Sequence, residues 1–261
     1  MAWEHLNDLD DAAIFQGRVR NASGRISRAT CTCPFGNLVQ IDTLDDFECD
    51  ISDVEGISAS KSASISFKDI QEFGRYFNEY KRATLDEHGL AVMLRHQEIR
   101  IIHRPGFDSF HLSMWDGRLF LGNHGGSHHF AGASYIAQHI GRPVPLRGRL
   151  HIKRLNVEAW SWLLEKFHVL FTCAEALRWV AGDAAELVDA FYALDLPPRV
   201  GDGRLMLIPR EHEASAALSD LLCEGAAKDV SQELLAVLAT QDEVRAGLAE
   251  RWPSIALLAN P

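Results

Sequence analysis

No apolar run in this 261-residue chain is long enough to span a bilayer. Its first residues, "MAWEHLNDLDDAA", carry neither a basic n-region nor an apolar h-region. Both absences predict a soluble, cytoplasmic protein with no membrane partner. Cysteine is scarce, and its five residues (Cys31, Cys33, Cys49, Cys173 and Cys223) are odd in number and irregular in spacing. That spacing predicts reduced thiols rather than a disulfide framework. Positive charge is also in deficit, with 26 Lys and Arg against 36 Asp and Glu and a formal net charge of −10. A chain this acidic repels phosphate backbones, which argues against broad nucleic-acid binding but leaves room for a local basic pocket. No HExxH or comparably spaced metal signature occurs.

What is present suits a globular protein: 47% hydrophobic and 24% charged residues, enough for one large domain or two small ones. Three stretches differ in character. Residues 1–64 are rich in Ser, Asp and Thr and predict strands and loops, and the N-terminal segment, 1–88, ends in a helix, "ISFKDIQEFGRYFNEYKRA". There Ser66 and Asp69 resemble a capping box, and Ile70, Phe73 and Phe77 share a face. Residues 89–155 alternate short apolar runs, "LAVMLRH", "EIRIIHR", "FHLSMW" and "LFLG", which predict strands with an Asp-Gly hairpin between the last two. Residues 156–261 predict a mostly helical segment. Asn156 caps "VEAWSWLLEKFHVLF", "AEALRWVAGDAAELVDAFYAL" follows, and a short strand "DGRLMLIP" precedes two or three further helices. "DGRLFL" at 116–121 and "DGRLML" at 202–207 echo each other, which independent Asp-Gly turns feeding apolar strands explain better than duplication.

The densest polar stretch is residues 119–141, "LFLGNHGGSHHFAGASYIAQHIG". A strand runs into Gly125-Gly126, Ser127 is the expected N-cap, and a helix closes at Gly141. Unpaired N–H groups in a helix's first turn, with about half a positive charge from the macrodipole, attract an anion. Glycines let it approach the backbone, and Ser127, His128 and His129 add donors. The same histidines, with His103, His111 and His124 and with Asp108 or Asp116, are an alternative Zn²⁺ or Mn²⁺ ligand set. A satisfied surface helix start accounts for the stretch equally well.

"DGRLFLGNHGGSHHFAGASYIAQHIGRPVPLRGRL" resembles the core motif of the ParB/sulfiredoxin superfamily over about residues 99–155: turn, strand, Gly-Gly-Ser-His-His, alanine-rich helix, glycine, proline-containing strand. Beyond it the chain resembles uncharacterised bacterial proteins. The resemblance implies an α+β fold, a small mixed sheet with helices, to which the C-terminal helical segment is added. It implies that Gly125, Gly126, Ser127, His129 and Arg147 hold the phosphate of a nucleotide, ATP or another nucleoside triphosphate. His128 would move a proton, with Ser127 and a base, Asp108 or Asp116, beside it. Two departures matter. His129 stands where the family has arginine, exchanging a permanent guanidinium for an imidazole, so cationic contact with phosphate would have to come from Arg142, Arg147 or Arg149 reaching in. Ser127 stands where sulfiredoxins carry their reactive cysteine, which excludes their sulfur chemistry.

The expected function is therefore a protein binding nucleotide or phosphate, acting as a phosphoryl-transfer or phosphoester-hydrolysing enzyme through the Gly-Gly-Ser-His-His turn. A non-catalytic binding or regulatory module with a relic pocket is the first alternative. A His/Asp metal-dependent hydrolase using a divalent metal is the second. The expected partner is a small phosphorylated ligand.

Overall fold

The computed structural model describes residues 9, 12–20, 23–58, 60, 65, 67–173, 190–195, 203–225 and 227–257. The fold is mixed α+β, with two sheets and, among the described residues, seven α-helices. The chain divides into two compact units, residues 1–40 with 154–242 and residues 41–153 with 243–261.

The first unit is built on a six-stranded sheet. Its members are β1 (Ile14–Arg20), β2 (Ile26–Thr32), β8 (Phe167–Cys173), β9 (Ala190–Asp195), β10 (Gly203–Pro209) and β11 (Ala227–Asp229), in the order β11-β8-β10-β9-β1-β2. Helix α5 (Val157–Lys166) starts where predicted, because the Asn156 side chain accepts a hydrogen bond from the Ala159 N–H at 3.3 Å. The same amide donates to the Phe35 and Asn37 carbonyls at 2.9 and 3.0 Å. The fully buried Trp160 places its indole N–H 2.9 Å from the Leu38 carbonyl, so its polar handle is satisfied inside the core. Helix α6 (Ser215–Gly225) lays Leu218 and Leu222 on Leu170, Met206 and Ile208 of the sheet. The long α7 (Ser231–Arg251) follows.

Here two expectations fail. The helix from Asn156 stops at Lys166, and 167–173 is a strand, because its aromatic and β-branched residues pair in register with 203–209. Residues 190–195 are likewise a strand, while the rest of that predicted helix, 174–189, lies outside the described residues. Long-range ladder bonds outweigh helical periodicity in both places. Among its described residues the 156–261 stretch thus supplies four strands as well as its helices.

The second unit carries a five-stranded sheet: β3 (Val39–Asp50), β4 (Gly56–Ile57), β5 (Ser109–Ser113), β6 (Leu119–Gly122) and β7 (Pro145–Leu155), ordered β3-β7-β5-β6-β4. The hairpin is as expected: β5 and β6 are antiparallel, and Gly117 turns at φ 68°. β7 runs parallel to β5 and β4 parallel to β6. The core gathers Phe47, Phe110 and Trp252, with Phe47 5.5 Å edge-on from each of the other two rings.

Helix α1 (Ile70–Lys81) is capped by Asp69, whose carboxylate accepts the Glu72 N–H at 2.8 Å while Glu72 reaches back to the Lys68 N–H. Ser66 of the expected capping box lies outside the described residues. The runs "LAVMLRH" and "EIRIIHR", expected as strands, form helices α2 (Glu87–Leu94) and α3 (Arg100–His103). The reason is local at α2: Asp86 accepts the Gly89 N–H at 2.8 Å and starts a helix one turn before the apolar run. Helix α4 (Ser127–Ile140) packs on α1, where Gly74 admits the Ala131 carbonyl. A Cβ at 74 would lie 2.2 Å from that oxygen, so this contact needs glycine. Buried Asn78 donates to the Gly132 carbonyl at 3.0 Å across the same interface.

Candidate functional site

Strand β6 delivers the chain to the turn at Asn123–Gly126, and α4 begins immediately after it. The N-cap is Gly126 rather than Ser127. Its φ of 69° and ψ of 8° are left-handed, and a Cβ there would lie 2.4 Å from the Glu98 carbonyl oxygen. Only glycine meets both demands. Because glycine has no side chain, α4 opens without a side-chain cap over its first turn. Ser127 becomes the first helical residue, buried, with its hydroxyl 3.4 Å from both the Ser60 hydroxyl and His128 Nδ1.

This helix start lies in a cavity of about 750 Å³. Helix α1 forms one wall with Tyr76, Phe77, Tyr80 and Lys81. His96 and Glu98, between α2 and α3, form another, and residues 124–129 close the end. Tyr80 is 74% exposed and Tyr76 46%, two aromatic rings one helical turn apart; Tyr76 lies 5.5 Å from the Phe67 ring and the Lys81 ammonium sits 5.6 Å over Tyr80.

The histidines divide the work unequally. His128 packs its ring against Phe73 and Phe77, each 5.1 Å between centroids, and so belongs to the wall. His129 stacks on His96 at 3.6 Å with the rings 10° from parallel. Burial, with His96 and Lys81 adding to it, pushes its pKa down to about 4, so at neutral pH it is an uncharged donor or acceptor. Glu98 brings negative charge to the turn. Its carboxylate pairs with Arg100 at 2.8 Å, and a Cβ at Gly125 would lie 2.7 Å from one of its oxygens.

Asp108 is brought to the edge of the site, and its partner is His124. The 2%-exposed carboxylate accepts the His124 backbone N–H at 3.0 Å, the Ile101 N–H at 3.2 Å and His124 Nδ1 at 3.2 Å. A carboxylate can only accept, so Nδ1 donates to it, and the neutral form of this cavity-lining imidazole has its lone pair on Nε2. Asp116 is elsewhere, in the β5–β6 turn, accepting the Arg118 N–H at 3.0 Å. Arg147 is elsewhere too, on β7, paired with Asp46 and Glu48 and lining a separate cavity. Arg142 and Arg149, which could have replaced the missing family arginine, pair with Glu87 and Asp45. The structure thus gathers Gly125, Gly126, Ser127, His128 and His129, holds Asp108 behind His124, and leaves Asp116 and Arg147 outside.

Sequence reasoning missed Lys81, His96, Glu98, Tyr76 and Tyr80. The two tyrosines carried a signal, since aromatic residues on the polar side of an amphipathic helix have no core to fill. His96 and Glu98 were hidden by reading their surroundings as strands. Among the described residues, no group of three or more His, Cys, Asp or Glu is placed to hold a metal ion. Cys31, Cys33, Cys49 and Cys223 are free thiols.

Against known protein families, residues 44–247 match a "Family of unknown function (DUF6685)". The chain belongs to that family. The DUF6685 match covers every residue named above as lining the cavity. No curated protein and no solved structure matches the chain. Among the described residues, no helix is long and apolar enough to cross a membrane.

The histidines predict a pH dependence of stability. His129 and His111 both have pKa values lowered from 6.5 to about 4, chiefly by burial. Between those values the unfolded chain binds more protons than the folded one, so stability rises with pH through the window. It is fully present above 6.5 and lost as the pH falls towards 4. Urea unfolding at several pH values should show this slope, and the double variant His111→Gln/His129→Gln should flatten it. Equal slopes in both proteins would contradict the assignment.

Proposed function

We propose that the cavity binds a small phosphorylated ligand with its phosphate at the N-terminus of α4. One observation carries the reading: left-handed Gly126 opens the helix with no side chain over its first turn, inside a cavity of ligand size. Backbone N–H groups and the helix dipole favour an anion there. Lys81 adds an ammonium group, and Tyr76 and Tyr80 offer flat faces to the rest of the ligand. A nucleotide, ATP or another nucleoside triphosphate, meets this pattern of one planar end and one anionic end. The ParB/sulfiredoxin-like reading of the fold rests on the same order of parts, hairpin strand, Gly-Gly turn, helix and proline-containing strand, and it belongs with this proposal.

The charge balance favours a binding or regulatory module. His129 is neutral where the superfamily has arginine, His128 is packed against phenylalanines, and Glu98 sets a carboxylate beside the turn. Glu98 holds the Arg100 guanidinium at the turn, so removing its charge should free that cation for the ligand. Calorimetric titration of ATP into Glu98→Gln is expected to show roughly three- to tenfold tighter binding than the natural chain, the scale of one charge several ångströms away. Unchanged or weaker binding would place the phosphate somewhere other than this turn.

One contact favours a second reading, phosphoester hydrolysis. With Nδ1 held by Asp108, His124 Nε2 can take a proton from a water molecule attacking a bound phosphate. Release of phosphate from ATP that is lost in His124→Gln, with ATP affinity retained, would select this reading. No release from either protein selects the binding module.

A further inference from the structure

The first unit holds a second concentration of charge that the α4 cavity does not use. On β1 and β2, Arg18 stands directly opposite Arg28, and on the other side of β1 it stands opposite Phe191 of β9. In the next row Gln16 faces Ala193, and Ala193 faces Met206 of β10, two residues from Arg204. Residues two apart share a sheet face, so Gln16, Arg18, Arg28, Ala193 and Arg204 all project to one side. Ala193 is the small residue in that array, and over it lies a hollow of about 390 Å³ lined by all three arginines.

Like charges directly opposed across two strands destabilise a sheet. On strand β7, by contrast, exposed arginines are neutralised: Arg147 by Asp46 and Glu48, and Arg149 by Asp45. Arg18 and Arg28 have no hydrogen bond or ion pair to any described residue, and both are exposed to solvent. Two guanidinium forks on directly opposed residues of neighbouring strands match the several oxygens of one phosphate group better than a single carboxylate. Gln16 adds an amide at the rim.

We infer that this hollow is a second anion site, distinct from the α4 cavity, which takes a multiply charged small oxyanion of the phosphate class between Arg18 and Arg28. The repulsion of the empty pair is the cost that the ligand relieves. An extended nucleic acid fits less well, because a chain of net charge −10 repels a long phosphate backbone.

The test uses the full chain, labelled with nitrogen-15, and follows the side-chain Nε–H signals of Arg18 and Arg28, assigned through Arg18→Lys and Arg28→Lys. Inorganic pyrophosphate is titrated against sodium chloride of equal ionic strength. Both signals should move saturably with pyrophosphate and not with chloride, and Arg28→Lys should weaken the response at Arg18 at least severalfold. In phosphate-free buffer Arg28→Gln should raise the thermal midpoint by roughly 1–3 °C, as relief of like-charge repulsion requires. Pyrophosphate shifts that appear at Gly126 but not at Arg18 and Arg28 would overturn this site and leave the α4 cavity standing. Saturable shifts with a short single-stranded DNA but none with pyrophosphate would overturn the small-ligand assignment.

Discussion

Gly126→Ala is expected to lower the unfolding free energy by about 2–4 kcal/mol and to abolish phosphate binding at α4. Two costs combine. A residue with a Cβ pays roughly 1–2 kcal/mol in the left-handed region, and Gly126 sits there at φ 69°. The new Cβ would also lie 2.4 Å from the Glu98 carbonyl oxygen, a backbone atom that cannot rotate away. Overpacking of that kind costs about 1–3 kcal/mol. Gly125→Ala is the control. Its Cβ would meet the Glu98 carboxylate closely and the Arg100 guanidinium at ordinary contact distance, both the ends of flexible side chains, and Gly125 has no positive φ. Urea unfolding should therefore show a much smaller loss for Gly125→Ala. Equal losses would mean that the left-handed turn is not what holds the helix start in place.

Asp108→Ala is the second large effect, expected to cost on the order of 3 kcal/mol. The substitution strands the buried Ile101 N–H, a loss of about 1–3 kcal/mol, and removes the acceptor of the part-buried His124 N–H as well. Asp108→Asn should cost less than half as much, because its amide oxygen still accepts one bond. It separates structure from chemistry, since an Asn amide oxygen holds His124 Nδ1 less firmly than a carboxylate does. Nitrogen-15 spectra of the His124 ring should show Nδ1 protonated in the natural chain and a mixture of tautomers in Asp108→Asn. A mixture already present in the natural chain would remove the basis for His124 as a proton acceptor.

How much of this was legible in the sequence depended on whether the deciding forces were local. The β5–β6 hairpin, the β6–turn–α4 unit and the Asn156 cap rest on contacts within a few residues, and all three were readable. Gly141 was readable for the same reason, as the left-handed residue that ends α4. The strands at 167–173 and 190–195 were not, because their ladders are made with partners distant in sequence. The region of α2 and α3 misled in a different way. Short apolar runs suit strand and helix alike, and the Asp86 cap that decides for helix lies outside the run itself. That misreading concealed His96 and Glu98, which the turn needs for its charge balance. The Ser127 cap was misassigned by one residue. Serine is the better capping side chain, but the left-handed geometry imposed by the Glu98 backbone admits only glycine.

The account stands or falls on whether an anion sits at the first turn of α4. Backbone nitrogen-15 spectra of the natural chain, titrated with inorganic phosphate at constant ionic strength, report on that turn residue by residue. The account predicts saturable downfield shifts of the Ser127, His128 and His129 amides, as N–H groups take on an acceptor, stronger in Glu98→Gln and absent in Gly126→Ala. Amides at 127–129 that do not respond to phosphate in either the natural chain or Glu98→Gln would contradict it.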